Sequence, residues 1–398
     1  MPLYHGREVS LISWKHRKQH NQMIQEMKKS IKENKVKESL VPTSPSPLSH
    51  DEKDIITYIS HKTNQYNKDN VTRTAAYLKF YQEYPEIEWA LLAHLVSRNS
   101  GWNMTDLKGE CLPHLLSEQE QVDFFMFLER GNWLIFQDAY PQLLLYEESK
   151  KQHKPLFHLL PAMNISSFME ASWYFFWYRP SKTMLTYALI TNEQHYIEDR
   201  LVQSQQIQKN VLGTIEFKLQ DLLSLNHILI PYQKGTEIMI IGETVHHFAS
   251  ILKRIELGKR LYHLLFNDKR RLKNVLAWTS QHPHTGSRMD YWPHLFHHTK
   301  DTSSYPLRLK TYQCQLKPRA PLLYSPKLQE VWDEIRHQKA SNDDWFDDWD
   351  KVDFLSKPNT STSGKIKAAY CETITKLELA ALMKKTFLGR EEDKKSAN

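Results

Sequence analysis

Cysteine is scarce in this chain of 398 residues, in which Cys111, Cys314 and Cys371 are the only three. Cysteines so few and so widely spaced predict neither a disulfide framework nor a thiolate metal site. No apolar run approaches the roughly 20 residues that a helix needs to cross a bilayer. The stretch from Met1 to Trp14 also lacks the continuous apolar run of a secretory signal. We therefore expect no membrane span and a location in the reducing cytoplasm.

Motifs that hold common cofactors are also missing. The chain contains no GxGxxG, no GxxxxGK[ST], no GxSxG and no CxxC, which disfavours cofactor-dependent redox chemistry and P-loop hydrolysis. His294, His297 and His298 have a spacing that metal sites use, but no HExxH or paired-cysteine pattern accompanies them. Because the chain has 20 histidines, such clusters arise by chance. We expect no cofactor and no functional metal.

Hydrophobic residues make up 40% of the chain and aromatic residues 12%, enough to form a sizeable core. Composition divides the sequence into three parts. Residues 1–48 predict a basic N-terminal helix followed by a Pro/Ser linker, and residues 51–340 predict a helical domain. Residues 341–398 predict an acidic-aromatic segment, a linker and a terminal amphipathic helix.

Helix signals dominate the central part. Pro85 suits the first turn of a helix that runs to about Asn99. Ser117 and Glu120 form a capping box, and Gly131 suits the left-handed position that closes such a helix. Further helices are predicted over 166–178, 182–203, 244–266, 268–280, 326–339 and 366–388. Val211 to Leu219 alternates only partly, so it predicts either a strand or another helical turn. We expect a mainly α fold, a single large multi-helix domain that allows one short strand pair, with flexible charged ends.

One polar group lies on the helix after Pro85. His94 and Arg98 are four residues apart and share a helical face with apolar neighbours. A buried guanidinium is costly unless a carboxylate or a bound anion compensates it. Carboxylates that could do so follow in the sequence at Asp106, Glu110, Glu129 and Asp138.

A second group is the motif ERGNWLIFQDAYPQ, residues 129–142. Glu129 falls in the last turn of its predicted helix, where the helix dipole disfavours a carboxylate. Either an Arg98–Glu129 ion pair holds it there or it acts as a general acid or base. In the later motif NEQHYIE, helical spacing puts Asn192 on an apolar face, which predicts a core network or the lining of a pocket. Its neighbour Glu193 is either part of that pocket or solvated.

A third group is the loop from Pro283 to Pro293, with the sequence PHTGSRMDYWP. Its imidazole, hydroxyl and guanidinium groups are typical of the surroundings of a phosphate or carboxylate. The alternative is a plain helix connection. The loop follows a basic stretch at 253–273, where eight Lys or Arg stand against two acidic residues. These are Lys253, Arg254, Lys259, Arg260, Lys269, Arg270, Arg271 and Lys273.

Four motifs together resemble those of the YppC-like family. They are AHLVSRNSGWNMTDL (93–107), ERGNWLIFQDAYPQL (129–143), NEQHYIE (192–198) and PHTGSRMDYWPHLF (283–296). This family consists of uncharacterised proteins from Bacillus and related Gram-positive bacteria and is classed as a domain of unknown function. The resemblance covers roughly residues 55–335. It implies a bacterial cytoplasmic protein, and it implies no activity and no catalytic roles.

The sequence therefore leaves three hypotheses open. The first is a polar pocket for an anionic ligand, and its candidate residues are His94, Arg98, Asn99, Asp106, Glu129, Asn132, Asp138, Asn192, Glu193, His284, Ser287, Arg288 and Asp290. The second is a non-catalytic nucleic-acid-associated protein that uses the basic stretch at 253–273. The third is a scaffold that binds a protein partner through residues 343–354. In that last case the alternative is that the acidic segment docks on the chain's own basic stretch.

Overall fold

A computed structural model describes residues 18–29, 48–203, 227–245, 248–300, 308–358 and 362–396. Residues 18–29 are helical, within the predicted N-terminal helix. The predicted Pro/Ser linker and the ambiguous segment from Val211 to Leu219 lie outside the described residues.

Helices make up most of the described chain, which confirms the mainly α prediction. They are α1 (His50–Tyr66), α2 (Asn70–Glu83), α3 (Glu88–Asp106), α4 (Leu112–Leu115), α5 (Glu118–Gln152), α6 (Ser167–Tyr178), α7 (Lys182–Ile197), α8 (Ile251–Phe266), α9 (Lys269–Gln281), α10 (Leu328–Val331) and α11 (Lys367–Ser396). A π-helical turn over Glu198–Val202 continues α7.

The capping box at Ser117 is confirmed, since its hydroxyl accepts the amide of Glu120 and the Glu120 carboxylate accepts the Ser117 amide. The predicted end at Gly131 is wrong, because α5 continues to Gln152 and even contains Pro141. A Cβ at position 131 would lie 3.2 Å from Leu201 Cδ2, so this glycine permits close packing and does not end the helix. Burial along α5 outweighs the propensity cost of about 1 kcal/mol for an interior glycine.

Two other helix predictions need correction. The predicted helix start at residue 244 is wrong, because Glu237–Thr244 is a strand and α8 begins at Ile251. Residues 326–339 form only the short α10, and the chain beyond it is extended across α5. There the ring of Trp332 stacks on Phe125 with a centroid distance of 4.0 Å. The helix predicted for residues 332–339 is therefore not formed.

Strands are short in the part of the chain that the structure describes. The antiparallel pair β1 (His227–Lys234) and β2 (Glu237–Thr244) forms a hairpin in which Ile230 faces Ile241. Its two-residue turn has Gly235 at φ +63°, a conformation that glycine adopts without strain. Four two-residue strands, β3 (Phe296–His297), β4 (Thr311–Tyr312), β5 (Gln315–Leu316) and β6 (Leu323–Tyr324), pair as β3–β6 and β4–β5.

Helix α3 lies at the centre of the fold and contacts α2, α5, α7, α8 and β1. It is buried on most of its circumference, since consecutive residues from Trp89 to Leu92 are all buried. Further along α3, Trp102 joins a second buried cluster with Tyr370 of α11. A helix that is buried all round must pair its polar side chains internally, and this requirement governs the site described below.

Residues beyond 340 pack into this core. In the predicted acidic-aromatic segment, Trp345 is 5% exposed and Phe346 3%. The Trp345 ring stacks on His195 of α7 at 4.4 Å, and its Nε1 donates to Asn192 Oδ1 at 2.8 Å. Lys259 of the basic stretch donates to Ser356 O at 2.9 Å. The segment therefore docks on its own chain, mainly against α6 and α7.

A disulfide joins Cys314 to Cys371, which corrects the expectation drawn from cysteine spacing. The two residues are separated by 57 positions in the sequence, yet their Cα atoms are 5.0 Å apart because α11 packs against β4. Cys111 remains a free thiol.

Candidate functional site

A cavity of about 270 Å³ lies between α2, α3, α5, α7, α8 and the β1–β2 hairpin. Most of its wall is apolar. Side chains that form the apolar wall include Leu92, Val96, Phe124, Phe127, Ile135 and Leu257. An engineered apolar cavity of about 150 Å³ is large enough for benzene, so this one can hold a molecule of about two rings.

Helix α3 supplies one side of the cavity through residues at helical spacing. Ala93, Val96, Ser100 and Asn103 succeed one another three or four positions apart, so they share one face. Ala93 and Ser100 are small, which leaves space in front of the helix. The cavity therefore follows from small residues on a helix whose other faces are filled.

Glu193 of α7 brings a carboxyl group to the cavity. Its Oε2 accepts a hydrogen bond from Trp89 Nε1 at 3.2 Å, and its Oε1 accepts one from Gln194 Nε2 at 3.1 Å. Burial raises the pKa of Glu193 to about 7, and the nearby charge of Asp138 acts in the same direction. Near neutral pH this carboxyl group can therefore exist in either protonation state.

Tyr77 of α2 also lines the cavity and is 3% exposed. Its ring is fixed between Trp89 and Phe136, at centroid distances of 5.4 and 5.1 Å. Its buried hydroxyl has no hydrogen-bond partner among the described residues. Burial raises the pKa of Tyr77 well above its usual value, and the charge of Glu193 contributes. The hydroxyl is therefore a neutral donor without an acceptor.

Other polar groups of the wall already have partners. Asn99 bonds the backbone of β1 in both directions, donating to Leu229 O at 3.0 Å and accepting from Leu229 N at 2.7 Å. Asn132 donates to Leu128 O at 2.7 Å. Arg254 donates to Gln194 Oε1 at 2.8 Å and also pairs with Glu198. The charge of Arg254 is thus already compensated within the protein.

Arg98 lies outside the cavity and is fully buried. It donates to His282 O at 2.8 Å, and its Nη2 is 3.8 Å from Asp290 Oδ2. The guanidinium also lies 4.5 Å from the ring centroid of Trp278. Burial lowers the pKa of Arg98 to about 10, which leaves it charged at neutral pH. The expected pair between Arg98 and Glu129 is not formed.

Glu129 pairs instead with Arg73 of α2, and its Oε1 lies 3.5 Å from His337 Nε2. Sequence reasoning missed Arg73, although a usable signal was present. Arg73, Tyr77 and Phe80 follow helical spacing, which places the arginine on the buried face of α2. A cation on such a face requires a buried carboxylate.

Asp138 and Asn192 form a core network apart from the cavity. Asn192 donates to Asp138, and Gln142 Nε2 donates to Asp138 Oδ2 at 2.9 Å. Ser166 donates to Asn192 Oδ1 at 2.8 Å. Burial raises the pKa of Asp138 to about 7. Of the two interpretations of Asn192, the geometry matches the core network.

The polar side chains of the loop from Pro283 to Pro293 already bind other groups of the protein. Arg288 Nε lies 2.9 and 2.8 Å from the two carboxylate oxygens of Asp106, and its Nη1 donates to Tyr370 at 2.7 Å. Ser287 donates to Ser325 O at 2.6 Å. Asp106 is therefore the anion that compensates Arg288.

Two buried histidines complete the set of candidates. His94 bonds Thr74 O at 2.8 Å through Nδ1, and His284 bonds Asn70 Oδ1 at 2.8 Å through Nε2. Burial, followed by the charge of Arg98, lowers the pKa of His94 well below its usual value.

Of the thirteen ligand-binding candidates, those that line the cavity are Asn99, Asn132 and Glu193.

The basic stretch divides between core and surface. Arg254 and Lys259 are buried, and Arg260 pairs with Glu243 at 2.7 Å. Arg271 donates to Leu264 O at 2.8 Å. The exposed members are Lys253, Lys269, Arg270 and Lys273.

Across the described ranges, no helix combines the length and the apolar character needed to cross a membrane. Within the same residues, no three or more His, Cys, Asp or Glu side chains are grouped in a way that could hold a metal ion.

This helical chain belongs to a family described as a protein of unknown function (DUF2515), whose model matches residues 65–371. It is 45% identical over 236 residues to the uncharacterized protein YppC of Bacillus subtilis (strain 168). That alignment covers 59% of this chain and 72% of the relative. No solved structure matches the chain. The family resemblance of the four sequence motifs is thereby confirmed, and the family match extends past residue 340 to Cys371.

Proposed function

We propose that this protein binds a small, mainly apolar molecule in the cavity between α3, α5, α7 and α8. The observation that carries the proposal is a preformed space of about 270 Å³ whose wall is mostly apolar, with few polar groups. Binding sites for small molecules and cofactors are usually concave and mainly apolar, with a small number of polar groups. Burial of an apolar molecule gains about 25 cal/mol for each Å² removed from water.

The cavity supports an anionic ligand less well than the sequence suggested. Arg98 and Arg288 do not line it, and each lies beside a carboxylate of the protein. Arg254 does line it, but this arginine is paired with Glu198. An anion bound here would have to displace an internal carboxylate, at a cost of several kcal/mol.

The remaining sequence hypotheses stay predictions. Nucleic-acid binding would depend on Lys253, Lys269, Arg270 and Lys273, the exposed members of the basic stretch. A protein partner for residues 343–354 would have to use the surface that remains after Trp345 and Phe346 are buried. A cytoplasmic location would require the Cys314–Cys371 bond to form in a reducing compartment.

Titration with naphthalene, followed by its fluorescence up to its solubility limit, tests the proposal. We expect saturable one-to-one binding to the full chain. Ala93→Leu adds three carbons to the cavity wall and should weaken this binding at least about tenfold without loss of folding. Ala277→Leu on exposed helix surface is the matched control and should leave binding unchanged. Absence of saturable binding, or equal binding by both variants, would refute the proposal.

A further inference from the structure

We propose that the molecule bound in this cavity carries one uncharged oxygen, as a hydroxyl or carbonyl group, and that Tyr77 and Glu193 bind this oxygen. The inference rests on the proposed function, since Tyr77 and Glu193 both line the same cavity. Two observations support it independently: the unpartnered hydroxyl of Tyr77 and the hydrogen bonding of Glu193.

The Tyr77 hydroxyl is the first observation. A buried polar group without a partner costs roughly 1–3 kcal/mol, and native proteins rarely leave one so. Phenylalanine at this position would fill nearly the same volume without that cost. The rings of Trp89 and Phe136 hold the tyrosine ring in place, so its hydroxyl cannot swing to an acceptor elsewhere. A ligand oxygen in the cavity would supply the missing acceptor.

Glu193 is the second observation, because this residue lines the cavity and its carboxyl group can carry a proton near neutral pH. Trp89 and Gln194 each occupy one of its two carboxyl oxygens. Burial raises its pKa to about 7, so below that pH it carries a proton that it can donate to a ligand oxygen.

The charged groups around Glu193 also disfavour a charged ligand. Above their pKa values of about 7, Glu193 and Asp138 on α5 both carry negative charge and disfavour an anion. A cation would find no counter-charge among these groups at about pH 6, since Glu198 already pairs with Arg254 on α8 and Glu193 is mainly protonated. A group without net charge avoids both penalties and still satisfies Tyr77.

Four probes with one apolar body test the proposal: naphthalene, 2-naphthol, 2-naphthoate and 2-naphthylmethylammonium. Their affinities for the full chain are measured by calorimetry at about pH 6, where the Glu193 carboxyl is mainly protonated. We expect 2-naphthol to bind about tenfold more tightly than naphthalene, the gain of one good hydrogen bond to an otherwise unpaired donor. The two charged probes should bind more weakly than 2-naphthol.

Tyr77→Phe should abolish the preference for 2-naphthol and leave the affinity for naphthalene unchanged. Its melting temperature should not fall, since the hydroxyl makes no hydrogen bond in the structure. Tyr58→Phe at an exposed tyrosine is the matched control and should keep the preference. The comparison of probes on the unaltered protein stands even if a variant fails to fold.

The possible results distinguish a failure of the proposed function from a failure of this inference. If no probe binds, the proposed function fails and the inference fails with it. If naphthalene and 2-naphthol bind equally, or a charged probe binds best, the inference is overturned while binding in the cavity stands. If Tyr77→Phe weakens both neutral probes alike, the tyrosine acts by packing alone, and the inference is likewise overturned.

Discussion

Replacing Glu193 by Gln should change how the stability of this protein depends on pH. Burial raises the pKa of Glu193 from its ordinary value of 4.5 to about 7 in the folded protein. Between these two values the folded state keeps a proton that the unfolded state has released. The contribution of Glu193 to the free energy of unfolding therefore falls as pH rises from about 4.5 to about 7, and this contribution changes no further above that range.

The size of this effect follows from the same two values. At 1.36 kcal/mol for each pH unit, the interval from 4.5 to about 7 gives an upper limit of about 3 kcal/mol. The glutamine side chain of the variant could still accept from Trp89 but would face Gln194 with an amide in place of an oxygen, at a pH-independent cost of about 1 kcal/mol. The two contributions separate because only one of them varies with pH.

Urea unfolding of both proteins, from about pH 4.5 to about pH 8, measures the difference directly. We expect the unfolding free energy of Glu193→Gln minus that of the unaltered protein to rise by at most about 3 kcal/mol and then level off near pH 7. Subtraction removes the opposing contribution of buried neutral histidines such as His94, which destabilise the fold at low pH. A flat difference, or a rise confined to pH values below about 5, would refute the reasoning.

Three further predictions concern the core. Arg98→Ala should lower the unfolding free energy by about 3–5 kcal/mol in urea titrations, because it leaves Asp290 buried without its cation. The control Arg270→Ala, at an exposed arginine, should change this free energy by less than about 0.5 kcal/mol. Equal effects of the two variants would contradict the burial of Arg98. Cys371→Ser should lower the free energy of unfolding by roughly 4 kcal/mol, because the disulfide closes a loop of 57 residues. Dithiothreitol should lower the melting temperature of the unaltered protein but not of this variant. If dithiothreitol changes neither melting temperature, the bond does not form. Trp345→Ala should cost about 3–5 kcal/mol by calorimetry, and a variant as stable as the unaltered protein would show that the segment is not part of the core.

Local signals in the sequence predicted where helices begin better than where they end. Ser117 and Glu120 lie three residues apart and bond each other's backbone, so a short pattern is sufficient to identify that start. Gly131, taken by its local sequence alone, predicts the end of a helix. In the fold it instead permits close packing against Leu201, which lies 70 positions away in the sequence. No local pattern contains that contact.

The charged residues of the candidate site also depend on contacts that the local sequence does not contain. The sequence indicated that Arg98 would be partly buried and would need a carboxylate or a bound anion; the residue is fully buried and lies beside Asp290. It did not identify that carboxylate, because Asp290 is brought near by the packing of α9 and its following loop. Glu129 had a closer partner in Arg73, whose buried position was readable from helical spacing.

The cavity itself could not be predicted, because it is defined by the absence of side chains in the space between several helices. Ala93 and Ser100 are small residues on one face of α3, yet small residues also allow helices to approach closely, as Gly258 does where a Cβ would lie 2.9 Å from Ile190. The same pattern therefore predicts either a tight contact or a cavity. The arrangement of the neighbouring helices decides between them.

The contribution of the last part of the chain to the core has a consequence for synthesis on the ribosome. Trp292 is buried against Tyr370, which follows it by 78 residues, and His20 bonds Leu355 O across 335 positions. At about 5–20 residues per second, the nascent chain waits roughly 4–16 s between making Trp292 and making its partner. During that interval the earlier helices expose apolar faces that a chaperone can bind, and a chain terminated before α11 would keep them exposed permanently.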